Sequence, residues 1–277
     1  MTSIKGLSGY AFVTGTASGI GQESAWQLAE AGAAGIVFAD LNKAGAKEAA
    51  EKSKSLATNP SYKAIALKID ITKKASVQEA VAFTLKEFGR IDYGVHCAGI
   101  GTVSNNPISD PVENEYTNIW EVNTKGTVFV TGALVAAMEK NEIATVTGRN
   151  GVREIGRGSI VNLASADSHI AEPFKGPYIA SKHAALGITK VAAVENAKKQ
   201  IRVNALCPTW VDTPMMEGYF TVTQGLREII KKKHPKGRMA LPEEVASAVL
   251  YLLSPGASYI TGTGLVIDHG ILLSVNV

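Results

Sequence analysis

Short apolar runs rich in Val and Ile alternate with longer stretches of helical periodicity along the whole chain, and this alternation restricts the folds open to it. The runs are continuously apolar, which is typical of strands buried on both faces of a parallel sheet. Alternating strands and helices build a doubly wound α/β sheet with right-handed crossovers. The predicted strands are Tyr10–Thr14, Gly35–Ala39, Lys63–Ile69, Tyr93–His96, Ser159–Leu163, Ile201–Leu206 and Gly264–Ile267, and the predicted helices are Gly19–Ala31, Lys43–Leu56, Lys74–Phe88, Glu113–Met138, Tyr178–Asn196 and Pro242–Leu253.

Domain organisation follows from the same pattern. The chain has 277 residues, without an internal repeat or a low-complexity linker. We therefore predict one Rossmann-like domain over residues 1–277, with about seven strands and helices on both faces of the sheet. Two stretches interrupt the alternation: Glu139–Arg157 is polar and glycine-rich, and Thr213–Arg238 mixes Met, Phe and Tyr with lysines. We predict that 213–238 forms a mobile lid over a substrate site.

A glycine-rich turn follows the first strand directly and leads into the first helix; it reads Thr14-Gly15-Thr16-Ala17-Ser18-Gly19-Ile20-Gly21. Glycines allow a tight turn and the close approach of a pyrophosphate, and the free N–H groups of a helix N-terminus attract its charge. A plain tight turn would look similar, but the position between first strand and first helix favours a dinucleotide site. The predicted cofactor residues of this turn are Gly15, Ser18, Gly19, Ile20 and Gly21.

Acidic residues stand at the ends of the second and third predicted strands. Asp40 is placed to accept hydrogen bonds from the adenosine ribose hydroxyls, and its charge would repel the 2′-phosphate of NADP. The glycine turn contains no Arg or Lys to offset that repulsion, so NAD is favoured over NADP. Asp70, with Ile71 after it, is placed to contact the adenine. Capping of the following helix is the alternative interpretation for both aspartates.

The chemistry-bearing residues are a tyrosine and a lysine four positions apart. Tyr178 and Lys182 stand in Tyr-Ile-Ala-Ser-Lys, so a helix presents both on one face. A phenol has a pKa of about 10, too high for a general base at neutral pH, but a nearby ammonium and a positive nicotinamide ring would lower it. Such a tyrosine can take the proton of an alcohol or return it to a carbonyl. Ser165 follows the fifth strand and can steady the same oxygen; Asn123 lies within the fourth predicted helix.

A Tyr-x-x-x-Lys pair alone is usually a surface pair, but its conjunction with the serine, the glycine turn and Asp40 indicates a catalytic site. This set resembles the short-chain dehydrogenase/reductase family, from Tyr10 to about Gly270. The family's glycine motif is similar to Thr14–Gly21, and its catalytic quartet is similar to Asn123, Ser165, Tyr178 and Lys182.

Further contacts are implied by the resemblance. Lys182 would also bind the nicotinamide ribose, and Asn123 would anchor a water that links Lys182 to bulk solvent. The 208–213 segment would lie against the nicotinamide, with Thr213 on its carboxamide. The implied cofactor residues outside the glycine turn are Asp40, Asp70, Ile71, Ala98, Gly99, Asn123, Tyr178, Lys182, Pro208, Val211 and Thr213. The Ser159–Ser165 stretch and the insert-bearing chain are similar to fungal members that serve secondary metabolism.

Three positions depart from the family pattern. The usual Asn-Asn-Ala-Gly after the fourth strand is His96-Cys97-Ala98-Gly99 here, which keeps the Ala-Gly pair for the cofactor but loses an asparagine that ties strands together. His96 is therefore predicted to be structural rather than catalytic. The usual Pro-Gly becomes Pro208-Thr209, and Asp-Gly-Gly becomes Asp268-His269-Gly270; neither change removes a chemical group from the mechanism.

Five residues are candidates for contact with the substrate. Asp167 either recognises a polar or cationic substrate group or lies at the loop surface. Trp210 is expected to border the substrate space. Met215, Met216 and Phe220 either line an apolar pocket or belong to the core.

Composition excludes several classes of function. The formal net charge of +3 is small and dispersed, so we expect no nucleic-acid partner. The five histidines lack metal-ligand spacing, so we expect no metal. Two cysteines are too few for a disulfide framework, which favours a reducing compartment. The start, Met1 to Tyr10, lacks the pattern of a signal peptide and no apolar stretch is long enough to span a membrane, so we expect a cytoplasmic protein.

The sequence therefore predicts an oxidoreductase that moves a hydride between NAD(H) and a secondary alcohol or ketone of a small to mid-sized metabolite. The alternatives are a non-catalytic NAD-binding subunit, an NADP-dependent ketoreductase and an ene-type reductase on the same fold. A non-catalytic binder has no need of Tyr178 and Lys182 together. The resemblance implies a homodimer or homotetramer formed through the fourth and fifth long helices.

Overall fold

The computed structural model describes residues 6–273. Residues 1–5 and 274–277 lie outside the described residues, and with them part of the segment for which no signal peptide is expected and both ends of the predicted 1–277 domain. The strands are β1 (Tyr10–Thr14), β2 (Gly35–Asp40), β3 (Lys63–Lys68), β4 (Tyr93–His96), β5 (Ala144–Gly148), β6 (Gly151–Gly156), β7 (Gly158–Leu163), β8 (Ile201–Pro208) and β9 (Gly264–Ile267). The helices are α1 (Gly19–Glu30), α2 (Lys43–Lys54), α3 (Lys74–Phe88), α4 (Glu113–Ile119), α5 (Gly126–Met138), α6 (Gly176–Asn196), α7 (Pro214–Val222), α8 (Leu226–Lys233) and α9 (Pro242–Leu253).

Seven strands form one parallel sheet in the order β3-β2-β1-β4-β7-β8-β9. The predicted doubly wound α/β fold is confirmed. The strand order reverses between β1 and β4, and ligands of such sheets bind in the crevice at the carboxyl ends of the strands beside this switch point. The glycine turn after β1 and the chain after β4 both begin at this switch point.

Burial on both faces explains why the strands read as continuous apolar runs. In β2, Ile36 and Phe38 pack into the core between the sheet and α1, α2 and α9, whereas Val37 packs into the core on the opposite face. All three side chains are fully buried. Successive residues of a strand point to opposite faces, so a strand covered on both sides needs apolar residues at every position.

The long helix predicted over Glu113–Met138 is interrupted. α4 ends at Ile119, a π-helical turn covers Trp120–Lys125, and α5 continues from Gly126. π-turns inside α-helices are rare and occur frequently at functional sites, because the extra residue per turn redirects side chains and frees backbone groups. Asn123 lies in this turn.

The polar insert Glu139–Arg157 contains structure that the sequence analysis missed. β5 and β6 pair antiparallel as a separate two-stranded sheet. Gly148 pairs with Gly151 across the turn, so Arg149 and Asn150 form a two-residue loop. Such a short loop with asparagine and flanking glycines, between segments that contain Val, Thr and Ile, is the pattern that predicts a hairpin. Arg153 fixes the hairpin to the body of the domain by donating to the Pro255 carbonyl oxygen at 3.0 Å.

The predicted lid, residues 213–238, consists of α7 and α8 with their connections. It follows β8 and covers the carboxyl edge of the sheet. Within residues 6–273, none of the helices combines the length and apolarity required to cross a bilayer.

Candidate active site

A cleft of about 1840 Å³ runs along the carboxyl ends of the central strands. The glycine turn and the residues after β2 and β3 line one end of this cleft. Its other end is lined by the chain after β7, the start of α6 and residues of the 213–238 segment. Both the predicted cofactor residues and the predicted catalytic residues therefore border one continuous space.

The glycine turn has the shape of a dinucleotide cradle. Gly15 has a φ of +75°, and a Cβ there would lie 2.7 Å from the Ala98 nitrogen. A Cβ on Gly21 would lie 2.2 Å from the Gly15 oxygen, so only glycine allows the turn to close against α1. The Ser18 side chain makes no cap hydrogen bond with the first turn of α1, which leaves those N–H groups directed at the cleft. These features fit a pyrophosphate at the helix N-terminus.

Asp40 lies at the edge of the same cleft and organises the backbone around it. Its carboxylate accepts hydrogen bonds from the Ala17 nitrogen at 3.0 Å and the Asn42 nitrogen at 2.8 Å. The N-cap of α2 is Asn42, whose side chain accepts from the Gly45 nitrogen, so helix capping does not account for Asp40. The carboxylate ties the glycine turn to the end of β2, where an adenosine ribose would lie.

Asp70 and Ile71 also line the cleft. The Asp70 carboxylate accepts from the Thr72 backbone nitrogen and hydroxyl, at 3.0 and 2.7 Å. The hydrogen bonds from Thr72 lower the pKa of Asp70. Lys73, not Asp70, is the N-cap of α3. Asp70 therefore shapes the turn after β3 rather than capping a helix.

The structure brings Ser165, Tyr178 and Lys182 together, all three lining the cleft. Ser165 follows β7 and its side chain accepts from the Asp167 nitrogen at 3.1 Å. Lys182, which is 7% exposed, lies with its Nζ 5.6 Å from the centre of the Tyr178 ring. The Lys182 ammonium also donates to the Leu163 carbonyl oxygen at 2.9 Å, so its position is fixed from two elements.

Burial dominates the pKa values of this group. It raises the pKa of Tyr178 far above that of a free phenol, with smaller contributions from Tyr219 and Asp167; the hydrogen bond with Ser165 opposes the rise. Burial lowers the pKa of Lys182 to about 8. Loss of solvent therefore decides the net shift at Tyr178, and the lowering of its pKa by Lys182 and a bound nicotinamide stays a prediction.

Asn123 joins three parts of the site. Its side-chain oxygen accepts from the Ile100 nitrogen at 2.9 Å, and its side-chain nitrogen donates to the Ile100 oxygen and the Ser181 hydroxyl at 2.8 and 3.0 Å. A Cβ on Gly99 would meet Asn123 Oδ1 at 3.2 Å and Lys182 Nζ at 3.7 Å. Asn123 thus holds the chain after β4 and the helix of Tyr178 beside the lysine. The water implied by the family resemblance stays a prediction.

The two cysteines are free thiols close to Lys182. Burial raises the pKa of Cys97 to about 12 and that of Cys207 to about 11. A protonated thiol is a poor nucleophile, so neither cysteine competes with Tyr178 for a chemical role. Among the described residues, no three His, Cys, Asp or Glu side chains converge in a way that could hold a metal ion.

His96 makes a hydrogen bond between strands in place of the asparagine that the family usually has at this position. The ring is 2% exposed. Its Nδ1 lies 2.8 Å from the Thr14 hydroxyl of β1, and its Nε2 lies 3.2 Å from the Thr127 hydroxyl of α5. A neutral imidazole has one donor and one acceptor, and the two threonines satisfy both. His96 therefore cross-links a strand and a helix beneath the cofactor end of the cleft.

We expect this histidine to make folding stability depend on pH. Burial lowers the pKa of His96 from 6.5 to about 3. Below pH 6.5 the His96 side chain is therefore protonated in the unfolded chain but stays neutral in the folded chain. Stability from this residue is full above pH 6.5 and is lost as the pH falls toward 3, by about 2 kcal/mol between pH 7 and pH 5. Denaturant unfolding of the wild type and of His96→Asn at both pH values measures this. Parallel pH dependences in the two proteins would contradict it.

Substrate candidates divide between two places. Asp167, Trp210, Met215 and Met216 line the cleft, but Phe220 does not. The Phe220 ring stacks 3.8 Å from the Arg227 guanidinium carbon, beside a separate small cavity. Of the two alternatives for Phe220, lining the substrate pocket is wrong: the ring is half-buried beside Arg227, because the docking of α7 turns Tyr219 toward the cleft instead.

Tyr219 occupies the cleft side of α7 instead, four residues after Met215 and three after Met216. Tyr219 was not among the predicted substrate residues, because Tyr219 and Phe220 both have helical spacing from a methionine and spacing alone does not choose between them. Apolar side chains from the chain before α6, Ile170 and Phe174, also line this end of the cleft.

Asp167 faces the catalytic group. Burial raises the pKa of its carboxyl, and the Lys175 ammonium opposes that rise. Its charge acts on both Tyr178 and Tyr219. The location in the cleft favours substrate contact over the loop-surface alternative.

A Rossmann-type sheet, a glycine cradle and a Ser–Tyr–Lys group on one cleft define a nucleotide-dependent oxidoreductase. Residues 15–272 match the family described as "Enoyl-(Acyl carrier protein) reductase". A short-chain dehydrogenase of Neurospora crassa is 46% identical over 98% of this chain and 99% of its own length. The 2,5-dichloro-2,5-cyclohexadiene-1,4-diol dehydrogenase of Sphingobium indicum is 33% identical over 93% of this chain and 94% of its own.

Solved structures agree with these relatives. The 3-ketoacyl-(acyl-carrier-protein) reductase of Brucella melitensis, crystallised with NADH, superposes with a TM-score of 0.80 at 32% identity, covering 97% of this chain and 99% of that one. The chain belongs to the short-chain dehydrogenase/reductase family, and the resemblance to fungal members is confirmed by the Neurospora relative.

Proposed function

We propose that the protein transfers a hydride between NAD(H) and the carbinol or carbonyl carbon of a small to mid-sized metabolite. One observation carries this proposal: the Tyr178 phenol lies beside the Ser165 hydroxyl and the Lys182 ammonium, in the same cleft that the glycine cradle opens onto. A site that only bound a nucleotide would need the cradle but not this group.

The residues divide the work as follows. The bound nicotinamide supplies or accepts the hydride. Ser165 holds the substrate oxygen and steadies the negative charge that develops on it. Tyr178 takes the hydroxyl proton when an alcohol is oxidised and gives it back when a ketone is reduced. Lys182 adds positive charge beneath the phenol and would hold the nicotinamide ribose, while Asn123 keeps the surrounding backbone in place.

The remaining cofactor contacts follow the shape of the cleft. The turn with Gly15, Gly19 and Gly21 would hold the pyrophosphate, and Asp40 would accept from the adenosine ribose. Ala98, Gly99, Pro208, Val211 and Thr213 also line the cleft, and the 208–213 segment would lie against the nicotinamide. The Thr213 methyl lies 3.2 Å from the position a Cβ would take on Gly19, which supports a role for Thr213 in closing the cleft over the nucleotide.

Cofactor choice is testable at Asp40. A 2′-phosphate beside a carboxylate would be repelled, so the wild type is expected to bind NADH at least about tenfold more tightly than NADPH. Asp40→Asn removes the charge but keeps an oxygen for the Ala17 or Asn42 nitrogen, and should narrow that gap without unfolding the turn. Fluorescence titration of both cofactors measures the ratio, with Asp110→Asn, an exposed aspartate that does not line the cleft, as control. Equal affinities in the wild type would refute NAD preference.

The substrate end of the cleft supports a partly apolar substrate. Trp210, Met215 and Met216 offer apolar surface, and Asp167 places one acidic group among them. The relatives include a diol dehydrogenase and a ketoacyl reductase, which act on a carbinol and a carbonyl respectively. We propose a secondary alcohol or ketone with one polar substituent.

Reduction of a carbon–carbon double bond is the second candidate, because the matching family carries the description of an enoyl reductase. The Ser165 hydroxyl beside Tyr178 favours carbonyl chemistry, since both groups serve a single developing oxyanion. Homo-oligomer formation, a cytoplasmic location and a role in fungal secondary metabolism stay predictions. Exposed valines on the two helices predicted to pair support homo-oligomer formation; they are Val128 on α5 and Val191 and Val194 on α6.

A further inference from the structure

Tyr219 connects the lid to the loop that follows β4. Its phenol oxygen accepts a hydrogen bond from the Thr102 nitrogen at 3.1 Å. The Lys175 ammonium lies 6.0 Å from the centre of the same ring. The side chain of a lid helix is thus held by the loop after β4 and by the residue that precedes α6.

Gly101 leaves the space that this contact needs. A Cβ on Gly101 would lie 2.2 Å from the Tyr219 hydroxyl oxygen and 2.8 Å from the ring carbon that carries it. Any larger residue would push the ring, and α7 with it, away from the loop. Glycine at position 101 therefore leaves the room that the Tyr219 ring needs to reach the loop.

The loop itself is a fixed anchor. Glu115 of α4 is 9% exposed, and its carboxylate accepts from the Thr102 hydroxyl, the Val103 nitrogen and the Ser104 nitrogen. Hydrogen bonds to a charged acceptor are stronger than neutral ones. Because Glu115 holds the loop from below, the contact from Tyr219 positions the lid rather than the loop.

We propose that Tyr219 latches the lid onto the 101–104 loop and also positions the substrate. The phenol oxygen accepts from the Thr102 nitrogen, so the phenol proton stays free to donate to an oxygen of the substrate opposite Tyr178. The positioning of the substrate rests on the proposed function. Tyr219 and Tyr178 line the same cleft, and after burial the nearby Tyr219 also raises the pKa of Tyr178. Tyr219 is thus a positioning residue rather than a proton carrier.

Limited trypsin digestion tests the latch without any turnover. Cleavage within α8 at Lys231, Lys232 and Lys233 reports release of the lid. Gly101→Ala should speed this cleavage about tenfold. Gly218→Ala is the matched control, because it lies in α7 next to Tyr219 and its Cβ would meet nothing within 4 Å. In a Tyr219→Ala background, Gly101→Ala should add no further acceleration, since the clashing ring is gone.

Steady-state kinetics tests the positioning role. With the most active ketone from a panel of aryl and cyclic ketones, Tyr219→Phe should raise KM about threefold to tenfold, the range for a lost neutral hydrogen bond, and leave kcat within twofold. Tyr259→Phe, fully exposed, is the control. Unchanged cleavage in Gly101→Ala overturns the latch, and an unchanged KM in Tyr219→Phe overturns the positioning role. If no ketone or alcohol is turned over, the proposed function fails while the digestion still decides on the latch.

Discussion

Tyr178→Phe is expected to lower turnover at least about a hundredfold while NADH binding persists. The substitution removes one oxygen, so the ring still packs over Lys182 and the cleft keeps its shape. What is lost is the phenol hydroxyl beside Ser165, which we propose exchanges a proton with the substrate oxygen. Steady-state turnover with a secondary alcohol or a ketone, together with fluorescence titration of NADH, measures both effects.

Tyr251→Phe provides the comparison for that experiment, since Tyr251 is a partly exposed tyrosine on α9, outside the cleft. It should retain wild-type turnover. Turnover of Tyr178→Phe within a factor of two of wild type would mean that another group carries the proton.

Lys182→Met is expected to cost about a hundredfold in turnover and to change the pH profile. Oxidation needs phenolate at Tyr178, so its rate rises with pH, whereas reduction needs the phenol and falls. Removing a positive charge 5.6 Å from the ring moves the rise to higher pH. The lysine is charged below its pKa of about 8. The ratio of wild-type to variant rate should therefore be largest below pH 8 and should shrink above it.

The part of the ratio that survives at high pH measures positioning alone. Lys190→Met, an exposed lysine two turns along α6, is the control and should behave as wild type. A ratio that stays constant from pH 6 to pH 10 would show that Lys182 only holds the cofactor and contributes no charge to the chemistry.

Much of the fold could be predicted because its signals are local. The parallel sheet follows from runs such as those of β2 and β8, whose residues are buried on both faces, and the glycine turn lies where strand meets helix. The π-turn at Asn123 and the β5–β6 hairpin were missed for a different reason. A π-turn leaves the apolar periodicity of the flanking helices almost unchanged, and the hairpin has too few buried side chains to impose a strand pattern.

The site was predicted as far as spacing could carry it. Ser165, Tyr178 and Lys182 meet as expected, but no spacing reports how deeply a group is buried. The rise in the pKa of Tyr178 is a property of the surrounding fold. Phe220 and Tyr219 differ by one helical step, and only the docking of α7 on the loop after β4 decides which of them faces the cleft. Contacts between distant parts of the chain set both outcomes.

Deuterium transfer from NADH labelled at the nicotinamide C4 tests the central proposal most directly. A cyclic α,β-unsaturated ketone is a suitable probe, because it offers both a carbonyl carbon and a carbon–carbon double bond. We expect one deuterium at the carbinol carbon of the product in the wild type, and at least about a hundredfold less product with Tyr178→Phe. Deuterium at the β-carbon would instead identify an ene-type reductase. Recovery of every ketone of the panel unreduced and without deuterium would contradict hydride transfer to a carbonyl carbon.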